Sequence, residues 1–200
     1  MSLSWESYFF NICEEVRRKS KDHSVKVGCV IAGPDHEIRS TGFNGFPRGV
    51  KETVESDLSD YDKASLLYQL NVQEIKKRHI RPEKYLWTEH AERNAIFAAA
   101  RVGIPLKECE IYVDWIPCAD CARAIIQSGL AKVIVDGRKF EEKWNFWKER
   151  WQDHMRCSIQ MFEESGVELN IWEGVVQYDN SQKHLNLIKE TLHEKDKKEE

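Results

Sequence analysis

The chain has 200 residues, 41% of them hydrophobic and 32% charged, with a formal net charge of −4 at pH 7. That length supports one well-packed domain and would leave two cramped. No apolar run approaches the length of a membrane span, so no membrane-spanning helix is expected. The slightly acidic balance lacks the basic footprint that neutralises a polynucleotide backbone, which argues against a nucleic-acid partner. The N-terminal stretch carries acidic side chains and no small-residue cleavage site after an apolar block, so it does not read as a secretory signal and a cytoplasmic location is expected.

In chain order, Trp5, Phe9, Ile12, Cys13 and Val16 recur at helical spacing and predict a helix over 4–19, with Ser4 as its cap. Residues 25–32 read as a buried valine-rich strand. A Gly-Pro-Asp turn leads to a second, antiparallel strand over 37–43, which runs into a loop dense in turn formers at 43–49. Residues 50–88 read as an insertion: an acidic loop at 54–62, then a helix over 63–79, placed to cap a pocket on the loop face of the sheet. The alanine-rich run at 95–100 predicts a strong helix over 89–101 that Gly103 stops. Then follow a strand at 109–113, a helix at 119–128 ended by Gly129, a strand at 132–135, a long helix at 141–165 and a last strand at 167–172. Trp144, Trp147, Trp151, Met155, Ile159 and Phe162 share one face of the long helix and predict core or subunit contact. The segment 177–200 reads as a polar, disordered tail. Strand–helix–strand repetition in the second half predicts a single α/β domain over 1–176, a mostly parallel sheet that opens with an antiparallel hairpin.

Six cysteines in a chain with no sign of an oxidising compartment do not argue for disulfides. Cys13, Cys29 and Cys109 sit in apolar surroundings and read as core thiols. Cys118 and Cys121, in Pro117-Cys118-Ala119-Asp120-Cys121, have the spacing of metal ligands at the start of a helix. His90-Ala91-Glu92 opens the preceding helix. Both helices direct their positive N-terminal ends at one place, which favours thiolate over thiol. Two thiolates and one neutral imidazole suit Zn2+ and leave a fourth position for water. Glu92, two residues from His90, is then the spare carboxylate that moves protons, and the catalytic residue of this reading. A structural four-ligand zinc site or a redox dithiol are the competing readings of the two cysteines, and neither uses Glu92.

This pattern, His-x-Glu followed by Pro-Cys-x-x-Cys, resembles the zinc-dependent cytidine/deoxycytidylate deaminase superfamily. Within it the chain looks most like the deoxycytidylate (dCMP) deaminases, on the residues Gly42-Phe43-Asn44-Gly45-Phe46-Pro47-Arg48-Gly49, His90-Ala91-Glu92-Arg93-Asn94-Ala95-Ile96 and Pro117-Cys118-Ala119-Asp120-Cys121-Ala122-Arg123-Ala124-Ile125-Ile126. The resemblance implies a three-layer α/β/α fold with a mixed sheet of about five strands and helices on both faces. It implies zinc held by His90, Cys118 and Cys121, hydrolytic deamination of dCMP to dUMP with Glu92 carrying protons, and nucleotide contacts from Asn44. Arg48 is the candidate for the phosphate, with Arg93 a second. It also implies homo-oligomers and dCTP or dTTP as effectors. The chain departs from the family where Asp114-Trp115-Ile116 precede Pro117: Trp115 either stacks on a base or packs. A deaminase of another cytosine nucleotide or nucleoside, or of a base in tRNA, is the alternative, and a non-catalytic zinc-folded module is the reading from another class.

Overall fold

A computed structural model describes residues 2–52, 66–138 and 140–174, together with Asn186 and Glu190. The acidic loop expected at 54–62 lies outside the described residues. So does the polar tail expected beyond 177, those two residues aside, and so does the side chain of Trp147. Among the described residues six named helices and five strands follow one another: α1 (Trp5–Arg17), β1 (Gly28–Ala32), β2 (Ile38–Phe43), α2 (Leu66–Lys77), α3 (Lys84–Trp87), α4 (Ala91–Val102), β3 (Glu110–Val113), α5 (Ala119–Gln127), β4 (Lys132–Asp136), α6 (Phe140–Ser165) and β5 (Glu168–Trp172).

The strands form one mixed sheet in the order β2-β1-β3-β4-β5. β3, β4 and β5 pair in parallel, whereas β1 runs antiparallel to both β2 and β3. β2, β3, β4 and β5 therefore run in one direction and β1 alone opposes them, as expected of a mostly parallel sheet that opens with an antiparallel hairpin. The period-2 alternation of the strands sorts the core into two layers. Val30, Ala32, Tyr112, Ile134 and Trp172 face α1 and pack on its Phe9, Phe10 and Cys13. Cys29, Ile31, Ile111, Val113, Val133, Val135 and Ile171 face the other way, against the buried residues of α4, α5 and α6. The three-layer α/β/α architecture follows from that alternation. Both faces of β1 are buried, which is why it reads as an unbroken apolar run.

Three local details set the site. The Ser4 side chain accepts from the Ser7 amide at 3.2 Å and caps α1 as expected. Gly103 takes φ 75° after the last turn of α4, a left-handed backbone conformation that suits glycine. Gly42 lets α4 lie directly on β2, since a Cβ there would overlap the Ala91 carbonyl and the Ala95 amide. That close approach brings the end of β2 to the start of α4, where Gly45 and Glu89 exchange backbone hydrogen bonds at 3.1 and 2.8 Å.

β1 starts at Gly28 and not at residue 25. The reason is Asn44: its Oδ1 accepts from the Val27 amide (2.8 Å) and its Nδ2 donates to the Val25 carbonyl (2.9 Å). A side-chain amide there supplies partners that a neighbouring strand would otherwise provide. Short helix α3 was not foreseen within the insertion. The free thiols Cys13, Cys29 and Cys109 are buried as expected, and Cys157 is exposed.

Candidate metal centre and its cavity

His90 and Cys118 occupy equivalent positions: each is the N-cap of its helix, with extended backbone (φ −77°, ψ 156° and φ −71°, ψ 168°). An N-cap side chain reaches forward over the first turn. Cys118 at the cap of α5 and Cys121 three residues on therefore share one place, and packing of α4 beside α5 brings His90 to it. His90 Nδ1 lies 3.5 Å from Cys118 Sγ and 3.5 Å from Cys121 Sγ. A tetrahedral ion with zinc–sulfur bonds near 2.3 Å and zinc–nitrogen bonds near 2.05 Å separates such atoms by about 3.6 Å. The three donors all lie within 4.8 Å of one another, and among the described residues they are the one such group of three. The donor set and spacing fit zinc, with a fourth position open.

The protons of the trio are unevenly held: the Cys121 thiol, hydrogen-bonded to Cys118 and buried, is pushed well above its ordinary value. The Cys121 thiol and the His90 ring hold the Cys118 thiol at about 3, against the opposing effect of burial. Burial alone would depress the His90 imidazole, yet the Cys118 sulfur beside it holds the ring above its ordinary value. Arg93, one turn into α4, pairs with Glu89 and points Nη1 at Cys121 Sγ, 3.7 Å away, with Asp120 at 3.8 Å. Its charge favours thiolate at the ligand. Arg93 is thus committed to the metal centre, and the phosphate role expected of it has no support in these contacts.

Glu92 is buried at 6% exposure and lines the cavity beside the triad. Burial pushes its carboxyl above the usual carboxylate range, with the His90 ring opposing. A carboxyl shifted in that direction is better suited to carrying protons than an ordinary one.

The cavity itself holds about 120 Å³. Besides Asn44, the start of α4 and the metal ligands His90 and Cys118, its walls come from four stretches of chain. Asp22, Val25 and Val27 precede β1; Arg81, Lys84, Tyr85 and Thr88 come from the insertion; Trp115 and Ile116 precede α5; Trp151 and Met155 come from α6. The insertion does cap the pocket. Tyr85 meets Trp151 edge-on at 5.6 Å, and Trp151 meets the His90 ring edge-on at 6.0 Å. Trp115 lines the cavity and also packs on Phe140 at 5.2 Å.

Asn44 lines the cavity, at 6% exposure, but its amide is largely engaged by the protein: besides Val25 and Val27, Nδ2 donates to Asp22 Oδ2 at 3.1 Å. Asp22 in turn takes the ammonium of Lys84, which also donates to Ser24 Oγ at 2.6 Å. Arg48 stands exposed in the 43–49 loop and is not among the cavity-lining residues. His79 is half-buried, stacked on Phe46 at 4.8 Å with Nε2 2.8 Å from the Glu52 carbonyl oxygen. Lys84, Arg81 and Tyr85 gave no signal in the sequence beyond membership of the insertion, and Trp151 was expected to belong to the core or a subunit contact.

A pocket with a His/Cys/Cys ligand set and a buried spare carboxyl defines a zinc-dependent hydrolytic deaminase. The sequence matches the cytidine and deoxycytidylate deaminase zinc-binding region over residues 3–136, and the chain belongs to that family. It is 36% identical over 169 residues to an uncharacterized deaminase of the luxG 3' region of Aliivibrio fischeri, covering 84% of this chain and 94% of that one. It is 31% identical over 182 residues to the deoxycytidylate deaminase of enterobacteria phage T2, covering 82% and 92%. In fold it is similar to the dCMP deaminase of cyanophage S-TIM5, solved in complex with dCMP and dUMP, with a TM-score of 0.56 and 21% identity over 86% of this chain and 99% of that one.

Proposed function

We propose that the chain converts dCMP to dUMP and ammonia by hydrolytic deamination. The observation that carries this is the juxtaposition of the His90–Cys118–Cys121 triad with the buried carboxyl of Glu92 in one cavity. The family membership supports deamination, and the names of relatives such as the phage T2 deoxycytidylate deaminase support the nucleotide. Zinc, when bound by the three ligands, supplies Lewis-acid chemistry that lowers the pKa of water toward neutrality. Glu92 takes one proton from the attacking water and delivers it to ring N3 of the cytosine, then takes the second from the hydroxyl so formed at C4 and delivers it to the departing amine, leaving the C4 carbonyl. Arg93 holds the ligand sulfur of Cys121, and the apolar walls built by Val27, Ile116, Trp115, Trp151 and Met155 exclude bulk water, so that charges formed at the ring are felt strongly. Asn44, with its remaining Oδ1 lone pair, contributes to nucleotide contact in this reading.

A cytoplasmic site of action fits the six free thiols, and among the described residues no helix is long and apolar enough to cross a membrane. Homo-oligomer formation and response to dCTP or dTTP are part of the same proposal. Ammonia release from the zinc-loaded protein offered dCMP, CMP, deoxycytidine, dCTP and a tRNA anticodon loop tests the substrate: dCMP is expected to be turned over fastest. Absence of turnover with every monophosphate, or faster turnover of the nucleoside, overturns the assignment.

A further inference from the structure

A nucleoside monophosphate brings close to two negative charges at neutral pH, and a cavity that selects it needs a cation with nothing else to hold. The cations near the metal centre can be taken one by one. Lys84 is spent on Asp22 and Ser24. Arg93 is spent on Glu89, Asp120 and Cys121. Arg78 lies over the Trp87 ring at 4.0 Å and donates to the Lys51 carbonyl. Arg48 is exposed and lies outside the lining. Arg81 differs from all four. It lines the cavity, its Nε is buried without a protein partner, and it makes no ion pair among the described residues.

The acidic groups of the same lining do not cancel it. Asp22 is matched by Lys84 and by donors from Asn44, Ser24 and Val25. Neither Asp22 nor Glu92 forms an ion pair with Arg81. Arg81 is therefore the unmatched charge of the lining. The Trp115 indole N–H is the second buried donor of that lining without a protein partner, so two unmet donors share one cavity. A buried donor left without an acceptor is costly, and a guanidinium matches phosphate oxygens bidentately.

We infer that Arg81, carried by the turn between α2 and α3, is the 5′-phosphate receptor of this site and makes it select a nucleotide over a nucleoside. The inference rests on the cytosine-nucleotide reading and assigns to the insertion a specificity role within it. Lys84 and Asp22 act beside it as positioning residues, fixing α3 to the segment before β1.

The test is equilibrium binding of dUMP and of deoxyuridine to zinc-loaded wild type, Arg81→Gln and Arg81→Lys, followed by tryptophan fluorescence and calorimetry, with steady-state deamination of dCMP alongside. Arg81→Gln is expected to reduce the dUMP-over-deoxyuridine affinity ratio roughly 10- to 100-fold, to raise KM for dCMP more than it lowers kcat, and to retain one zinc per chain. Arg81→Lys is expected to recover part of the ratio. A loss shared equally by nucleotide and nucleoside, or no change in the ratio, overturns the receptor whatever the turnover. Wild type that binds dUMP through Arg81 yet never deaminates dCMP sinks the deaminase reading and leaves the receptor standing.

Discussion

Replacing Lys84 with methionine isolates the buried ion pair that builds one wall of the cavity. The side chains of Lys84 and Asp22 are 9% and 6% exposed. Burial pushes the Asp22 carboxyl up, but Lys84, helped by the Ser24 and Val25 amides, brings it below its ordinary value. Methionine matches the length of the lysine stem and removes the ammonium, with its bonds to Asp22 and Ser24. Breaking one side of a buried pair typically costs 3–5 kcal/mol. Asp22 would keep the donors of Asn44, Ser24 and Val25, which places the loss near the lower end, about 3 kcal/mol, or roughly a hundredfold in the folding equilibrium. In the wild type Asp22 has a depressed folded-state pKa, so its contribution is present above about 3.9 and is lost only as pH falls below that. In Lys84→Met the unpaired, buried carboxyl is pushed above the unfolded value, so it takes up a proton as pH falls from 7 to 5 and the deficit against wild type shrinks. Adding Asp22→Asn at pH 7 should recover part of the loss for the same reason. Urea unfolding of the zinc-loaded proteins at pH 7 and pH 5 measures both. A cost under about 1 kcal/mol at pH 7, or one that does not shrink at pH 5, refutes the claim that this pair is buried and mutually dependent.

Three further perturbations read other parts of the site. Glu92→Gln should keep one zinc per chain and a melting temperature at or slightly above wild type, since it removes a carboxyl that burial disfavours, while lowering kcat by roughly 10²–10⁴-fold; turnover within tenfold of wild type would remove the proton-carrier role. Arg93→Ala should weaken zinc retention roughly 10- to 100-fold in competition with a chelator, because the guanidinium facing Cys121 is withdrawn; unchanged retention argues that the contact is incidental. Asp114, buried at the end of β3 and accepting from the Gly28 amide at 2.9 Å, is pushed by burial up to about 6. Its folded form holds the proton more tightly than the unfolded chain, so its ionisation lowers stability as pH rises from about 4 to about 6, by up to about 3 kcal/mol. Asp114→Asn should erase that slope and gain stability at pH 7, measured as the difference in urea midpoints across pH; a variant less stable than wild type at pH 7 contradicts this.

The parts of this molecule that could be read from the chain are those fixed within a few residues. His90 and Cys118 cap helices, Cys121 lies one turn from Cys118, and Glu92 lies two residues into α4; each relation is set by helix geometry alone. The strands were legible because burial on both faces of β1, and on β3 and β4, leaves continuous apolar runs. What could not be read depends on contacts between distant segments. The expected strand at 25–27 is absent because Asn44, seventeen residues beyond Val27, takes its hydrogen bonds. β3 pairs with β1 across the whole insertion, so its antiparallel sense is a property of the sheet and not of either strand.

Arg81 makes the same argument at the site. In sequence it is one of a cluster with Lys76, Lys77 and Arg78, and nothing local separates them. In the fold, Lys77 pairs with Glu74 on the surface and Arg78 covers Trp87, while Arg81 lies past the end of α2 and enters the cavity lining. Trp151 was assigned to the apolar face of α6 on helical spacing; it lies on that face, but the face extends past the core to the wall beside His90. Helical periodicity reports which side of a helix is apolar, and it is silent on whether that side meets packed protein or a cavity. A substrate pocket walled by apolar side chains is, to a periodicity argument, more core. The metal ligands escape this ambiguity because a cysteine or histidine at a helix cap carries chemistry that packing does not require.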